Sequence, residues 1–320
     1  MTRKIATLPM LLGLALLLLL AFPLIGDKFY LQLLSKIMLM AIFAMSLDLL
    51  VGYTGLVSFG HAAFFGLGAY ALWFLSPKYG AANLYLSLPL AIGVTGLAAL
   101  AVALLVLRSS GVYFIMVTLA FAQMFYYYAL GAKWMGGSDG AYVYVRPDAS
   151  LAGWVPFDLG NYVHFYYVAL VLLALVYLLL RMIVASPFGR VISAIRSNEG
   201  RTRALGFPVF RYKLASFVIA GALAGLAGYL DAAQFGVVNP DLFGWRLSGA
   251  VLMMVILGGM GSLHGPILGA FVLVLLEDYL SGATRHWLLP MGLFIIFAVL
   301  LLPRGLRGLL AKPPAEAADG

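Results

Sequence analysis

The 320-residue chain has no cysteine, only four histidines and charged residues at just 10% of its positions. The missing cysteines exclude disulfides, thiolate nucleophiles and Cys-ligated metal centres. His61, His164, His264 and His286 are scattered and never stand at HExxH spacing, so the sequence offers no metal site. No lysine is followed by Ser or Thr, which removes the Gly-Lys-Ser/Thr phosphate loop and with it ATP hydrolysis by this chain through such a loop. Acids are scarce too. Asp48, Asp231, Glu277 and Asp278 fall near the ends of predicted apolar runs, whereas ion-coupled carriers bury carboxylates in mid-bilayer. No cofactor site, catalytic constellation or internal energy source is legible.

What the chain does have is apolar surface. It is 64% hydrophobic with a mean hydropathy of +1.03, against roughly 45–50% apolar residues in soluble domains. These values predict an all-helical, polytopic membrane protein. Thirty-six glycines and 14 prolines argue against simple apolar rods, because glycine in membrane helices marks close packing or a broken helix. A net charge of +8 does not point to nucleic acid, since the basic residues cluster beside apolar runs, as the positive-inside rule expects.

Apolar runs cover 8–25, 31–51, 56–75, 84–107, 112–131, 162–181, 213–231, 242–280 and 287–302. The first reads as a span rather than a signal peptide, because no small-residue cleavage pattern follows it. The run over 242–280 is too long for one span and reads as two helices meeting at a glycine break. The total is about ten spans, in one transmembrane domain over 1–312 with a disordered tail at 313–320. An even number puts both termini on the same side as the basic segment 186–213, the inner side by the positive-inside rule. The loop 132–161 then lies outside. Tyr142 to Val145 hint at a strand or hairpin there, and Gly136-Gly-Ser-Asp-Gly140 reads as a glycine-rich turn rather than a nucleophile elbow.

Ser186 to Lys213 is the one long charged segment, with Arg190, Arg196, Arg201, Arg203, Arg211 and Lys213 against a single acid, Glu199. Ser186 followed by Pro187 is a helix start. Phe188, Val191, Ile192 and Ile195 recur at helical spacing and predict an amphipathic helix along the membrane, with Arg190, Ser193, Arg196 and Ser197 opposite. Glu199 and Arg203 stand at ion-pair spacing, and Gly206 with Pro208 marks the stop. The bland alternative is a loop that binds lipid headgroups.

Two stretches interrupt apolar runs with glycine: Gly52-Tyr-Thr-Gly55-Leu-Val-Ser58-Phe-Gly60-His61 and Gly258-Gly-Met-Gly261-Ser-Leu-His264-Gly265. Paired interruptions point to a transport pathway, because irregular backbone survives in a bilayer only where protein or a water cavity satisfies it. Close helix packing explains the same glycines equally well, as at Gly221/Gly225 and Gly265/Gly269. His61 and His264 read as hydrogen-bonded structural groups before they read as ligands.

Several long motifs in order resemble the branched-chain amino acid ABC permeases, specifically their M-type membrane subunit. They are SLDLLVGYTGLVSFGHAAFFGLGAYA (46–71), GVYFIMVTLAFAQM (111–124), GGSDG (136–140), SPFGRVISAIRSNEGRTRALGF (186–207), YKLASFVIAGALAGLAGYL (212–230), MMVILGGMGSLHGPILGA (253–270) and LLPRGLRGLL (301–310). The resemblance implies an H-type permease partner, two cytoplasmic ABC ATPase subunits and a periplasmic or lipid-anchored substrate-binding protein, in membrane lipid. It makes Ser186–Gly206 the coupling element, with Glu199–Gly206 in the place of the EAA-type loop, from whose alanine-rich form Gly200 and Thr202 depart. Arg190, Arg196, Glu199, Arg201 and Arg203 would meet the ATPases while Ile192 and Ile195 hold the helix to the membrane domain. The pathway would run near Gly52, Gly55, Ser58, Gly60 and His61, and near Gly258, Gly261, His264 and Gly265.

Related permeases import urea or short amides, so the resemblance leaves substrate open, and Asn239-Pro240 stands where the family has Ser-Pro. Trp134, Tyr142, Tyr144 and Trp154 are candidates for contact with the binding protein, or for an aromatic belt. The rival class is a self-sufficient channel or facilitator.

Overall fold

The computed structural model describes residues 18–24, 26–77, 80–150, 157–302, 305, 306 and 308. Most of the first apolar run, Trp154, the basic residues after 302 and the 313–320 tail lie outside them. Apolar sequence in a bilayer must satisfy its own backbone, and the chain does so as helix. In order these are α1 (Lys28–Asp48), α2 (His61–Leu75), α3 (Leu84–Val106), α4 (Val112–Gly131), α5 (Tyr162–Ala185), α6 (Pro187–Ser197), α7 (Glu199–Ala204), α8 (Val209–Phe235), α9 (Trp245–Gly258), α10 (His264–Ala283) and α11 (Leu288–Leu301). Among the described residues six helical stretches are long and apolar enough to cross a membrane: Lys28–Thr54, Leu84–Val106, Val112–Gly131, Tyr162–Ala185, Val209–Phe235 and His264–Ala283. α2, α9 and α11 are apolar but shorter.

The run expected from residue 56 begins its helix only at His61, because Gly55 to Gly60 stays non-helical. α1 does not stop cleanly either. It continues as a π turn, Leu49–Thr54, and ends at Gly55 in the left-handed conformation, φ 80°. The 242–280 run splits at its glycines into α9 and α10.

α1 and α8 form the centre. Their middle residues are buried on every side, whereas α3, α4, α5 and α10 turn rows of Leu, Val, Met and Tyr outward. Glycine sets the closest approach. A Cβ at Gly68 of α2 would overlap the carbonyl of Gly225 in α8, and one at Gly228 would overlap the carbonyl of Phe65. Thr95 of α3 fills the space over Gly225, and Tyr229 of α8 shares a 2.5 Å hydrogen bond with Ser87 of α3.

On the opposite end from α6 and α7, the strand expected near Tyr142 is two residues long. β1 (Ala141–Tyr142) pairs antiparallel with β2 (Val237–Val238), far along the chain, rather than forming a local hairpin. Arg146 pins this loop: it donates to the carbonyls of Leu159 (2.9 Å) and Gln234 (3.0 Å) and stands 5.2 Å from the Tyr162 ring centroid. Gly137–Asp139 forms a 3₁₀ turn between Gly136 and Gly140, with Ser138 donating to Asp139.

Candidate functional site

α6 starts as its sequence dictates. The Ser186 hydroxyl accepts from the Gly189 N–H (3.4 Å) and donates to the Ile183 carbonyl (2.6 Å), with Pro187 in the first turn. Ile192 and Ile195 are buried, and Phe188 stacks on Tyr212 with centroids 5.5 Å apart. Arg190 is exposed on the other face. The basic segment is two helices, however, not one. Asn198 is extended (φ −161°), and its side chain accepts from the Arg201 N–H at 2.9 Å to begin α7. An Asn followed by Glu199 in the first turn is a start signal, and it was legible within the stretch read as one element.

Glu199 makes the expected pair with Arg203 (2.8 Å) and a second, at 2.5 Å, with Lys213 on α8. Arg201, Arg203 and Arg211 point to solvent beside exposed Leu205, Phe207 and Phe210, with Gly206 at φ 88° between them. Basic and apolar groups thus share one surface.

Arg196 is exposed overall, yet its guanidinium reaches inward and donates to the carbonyl oxygen of Gly52 in the π turn. Its stem lies over Gly55. The two glycine-broken stretches meet at this point. The Gly261 N–H donates to Asp48 Oδ1 at 2.9 Å, and a Cβ at Gly52 would overlap both that carboxylate and the Gly261 nitrogen. Gly261 needs its glycine for a second reason, a φ of 74°. Asp48, the last residue of α1, is wholly buried. Gly52, Gly55, Asp48, Arg196 and Gly261 therefore form one junction.

The other predicted residues lie around it. Gly258 and Gly265 pack backbone to backbone where α9 meets α10, and His264 opens α10. Ser58, Gly60 and His61 belong to a separate buried polar patch. His61 Nε2 is 2.9 Å from Ser46 Oγ, its ring stacks on Phe43, and the Gly60 N–H donates to Ser58 Oγ at 3.2 Å. Thr118 of α4 accepts from the Phe59 N–H and Ser248 of α9 from the Ala62 N–H, so side chains of neighbouring helices satisfy the irregular backbone. Asp48, Asn198, Lys213, Thr118 and Ser248 were not singled out by sequence for these roles. Asp48, Thr118 and Ser248 act through partners far away in the chain, whereas Asn198 and Lys213 act within or just beyond one short stretch. Among the described residues no three His, Asp or Glu side chains gather as a metal site would require.

Six helical stretches long and apolar enough to span a bilayer, packed around a buried polar junction, define a multi-pass membrane protein. The chain belongs to the family described as the branched-chain amino acid transport system / permease component, whose profile matches residues 29–303. It is 31% identical to the high-affinity branched-chain amino acid transport system permease protein LivM of Salmonella typhimurium, over 94% of this chain and 75% of that protein. It is 30% identical to the Escherichia coli K12 protein of the same name, with the same coverage. The probable branched-chain amino acid transport permease protein LivH of Methanocaldococcus jannaschii is 26% identical over 84% of this chain and 89% of that one. No solved structure matches.

Proposed function

We propose that the chain is the membrane-spanning permease subunit of an ATP-binding cassette importer of branched-chain amino acids, working by alternating access. Separate ATPase subunits supply the work, an H-type permease completes the pore, and a periplasmic or lipid-anchored protein delivers the solute. The observation that carries this reading is the Arg196–Gly52 hydrogen bond, which joins the exposed basic segment to the junction of the two broken stretches. In this reading the ATPases seat against Arg190, Arg201, Arg203 and the exposed Leu205 and Phe207. Their closure moves α6 and α7 together, because Ile192 and Ile195 anchor α6 while Glu199 ties α7 to α8 through Lys213. Arg196 carries the movement to Gly52, and the packed junction passes it to Gly261 and α10.

The topology that goes with this has about ten spans, both termini and residues 186–213 in the cytoplasm of a bacterium, and 132–161 outside. Trp134, Tyr142 and Tyr144 are exposed there and would receive the binding protein. Gentle extraction from the native membrane, with identification of the co-purifying chains and an ATPase assay on the same sample, tests the assembly. A second permease with two nucleotide-binding subunits is expected. A lone chain that conducts leucine, urea or short amides without ATP would make it a facilitator.

A further inference from the structure

Between the coupling segment and the first break lies a cavity of about 350 Å³, within the range of about 300–1,000 Å³ typical of small-molecule sites. Its lining has two characters. Leu56 and Val57, just after the π turn, and Phe114 and Ile115, in the first turn of α4, make it apolar; Glu199 and Lys213 add opposite charges. Those charges meet at 2.5 Å, and the Lys213 side chain is only 13% exposed. Arg203 holds the other oxygen of Glu199 at 2.8 Å, so the carboxylate stays in place if its Lys213 partner is exchanged.

Opening this pair would leave the largely buried Lys213 ammonium uncompensated, so an incoming ligand must replace both charges. A ligand that bears both charges on one small unit satisfies both ends: its carboxylate takes Lys213 Nζ, and its ammonium takes the freed oxygen of Glu199. A branched aliphatic group on the same carbon would then bury against Leu56, Val57, Phe114 and Ile115. We propose that this cavity binds a zwitterionic aliphatic amino acid arriving from the side of the coupling segment, and that its occupancy slows transport. Gly55 lines the same cavity and packs against Arg196, so a bound molecule sits against the link between the coupling segment and the junction. The imported product thereby brakes its own entry. The inference rests on the reading of the chain as an amino-acid importer.

The test has two parts. Labelled L-leucine is titrated onto the purified complex without its binding protein, where saturable binding is expected that L-leucinol, lacking the carboxylate, does not displace. Two substitutions fill the cavity: Ile115→Trp from inside and Val112→Trp at its exposed rim. Each should abolish this binding. ATP-driven leucine uptake is then followed into phosphatidylcholine vesicles, empty or loaded with leucine. At internal leucine about ten times its dissociation constant, the initial rate should fall by about tenfold, and the two variants should import into empty vesicles without showing the fall. No binding to the complex, displacement by L-leucinol, or a fall that persists in both variants overturns the site. If leucine binds but even empty vesicles show no ATP-driven uptake, the cavity stands and the importer reading fails. A brake that disappears when phosphatidylethanolamine is added to the vesicles would assign the cavity to a lipid headgroup and overturn the proposal.

Discussion

Arg196 donates to the carbonyl of Gly52 across 144 residues of sequence, so a charged side chain of the basic segment reaches the buried π turn. A hydrogen bond from a charged donor is worth about 1.5–3 kcal/mol, enough to change coupling by roughly tenfold to a hundredfold. Arg196→Ala should leave the ATPase subunits bound in a pull-down while leucine imported per ATP hydrolysed falls on that scale. Arg196→Lys, which keeps the charge but not the reach, should lie between. Loss of ATPase binding with normal uptake per ATP in the remaining complex would make Arg196 a partner contact instead.

Asp48 holds the second break from within α1 through its bond to the Gly261 N–H. Asp48→Ala leaves that N–H without its acceptor and should cost about 1–3 kcal/mol, read as a lower melting temperature of the purified complex together with lost uptake. Asp48→Asn retains an amide oxygen and should retain part of both. Wild-type melting of the alanine variant would contradict a structural role for the bond.

The α2–α8 contact gives a stability test independent of transport. Gly68→Ala sets a methyl group against the Gly225 carbonyl and should destabilise by about 1–3 kcal/mol. Gly93→Ala in α3, where a Cβ meets nothing within 4 Å, should be neutral or stabilise by up to about 1 kcal/mol. Equal thermal shifts for the two variants would mean that the helices are not packed as described.

Much of the local chemistry was legible in the sequence. The Ser186-Pro187 start follows from capping chemistry, the buried Ile192 and Ile195 and the Glu199–Arg203 pair follow from helical spacing, and glycine stands in both interruptions. What spacing cannot give is a partner far away. Arg196 looked like its exposed neighbours because nothing in residues 186–213 signals an acceptor at Gly52, and Asp48 and Gly261 are 213 residues apart. The same limit explains β1, whose partner β2 follows α8 rather than a nearby turn. Asn198 is different: its capping pattern was present, and the apolar stripe running up to it masked the break.

The loop over 132–161 offers a test of the proposed delivery. Tyr142 and Tyr144 are 55% and 67% exposed, while β1 pairing and Arg146 fix the backbone beneath them. Deleting residues 141–150 would remove that framework, so side-chain substitution is the cleaner probe. Tyr142→Ala with Tyr144→Ala should leave basal ATPase activity unchanged and reduce its stimulation by the loaded binding protein several-fold, about 1–2 kcal/mol at a contact of this kind. Unchanged stimulation would assign the two rings to a lipid-facing belt.

An ABC permease subunit moves its solute only when partner subunits hydrolyse ATP. The most direct measurement is uptake of labelled L-leucine into vesicles carrying the co-purified complex and its binding protein, with and without ATP on the side of residues 186–213. Accumulation above the external concentration with ATP, and none without it, is the predicted result. Equal, non-accumulating entry in both conditions, also seen with this chain alone, would contradict it.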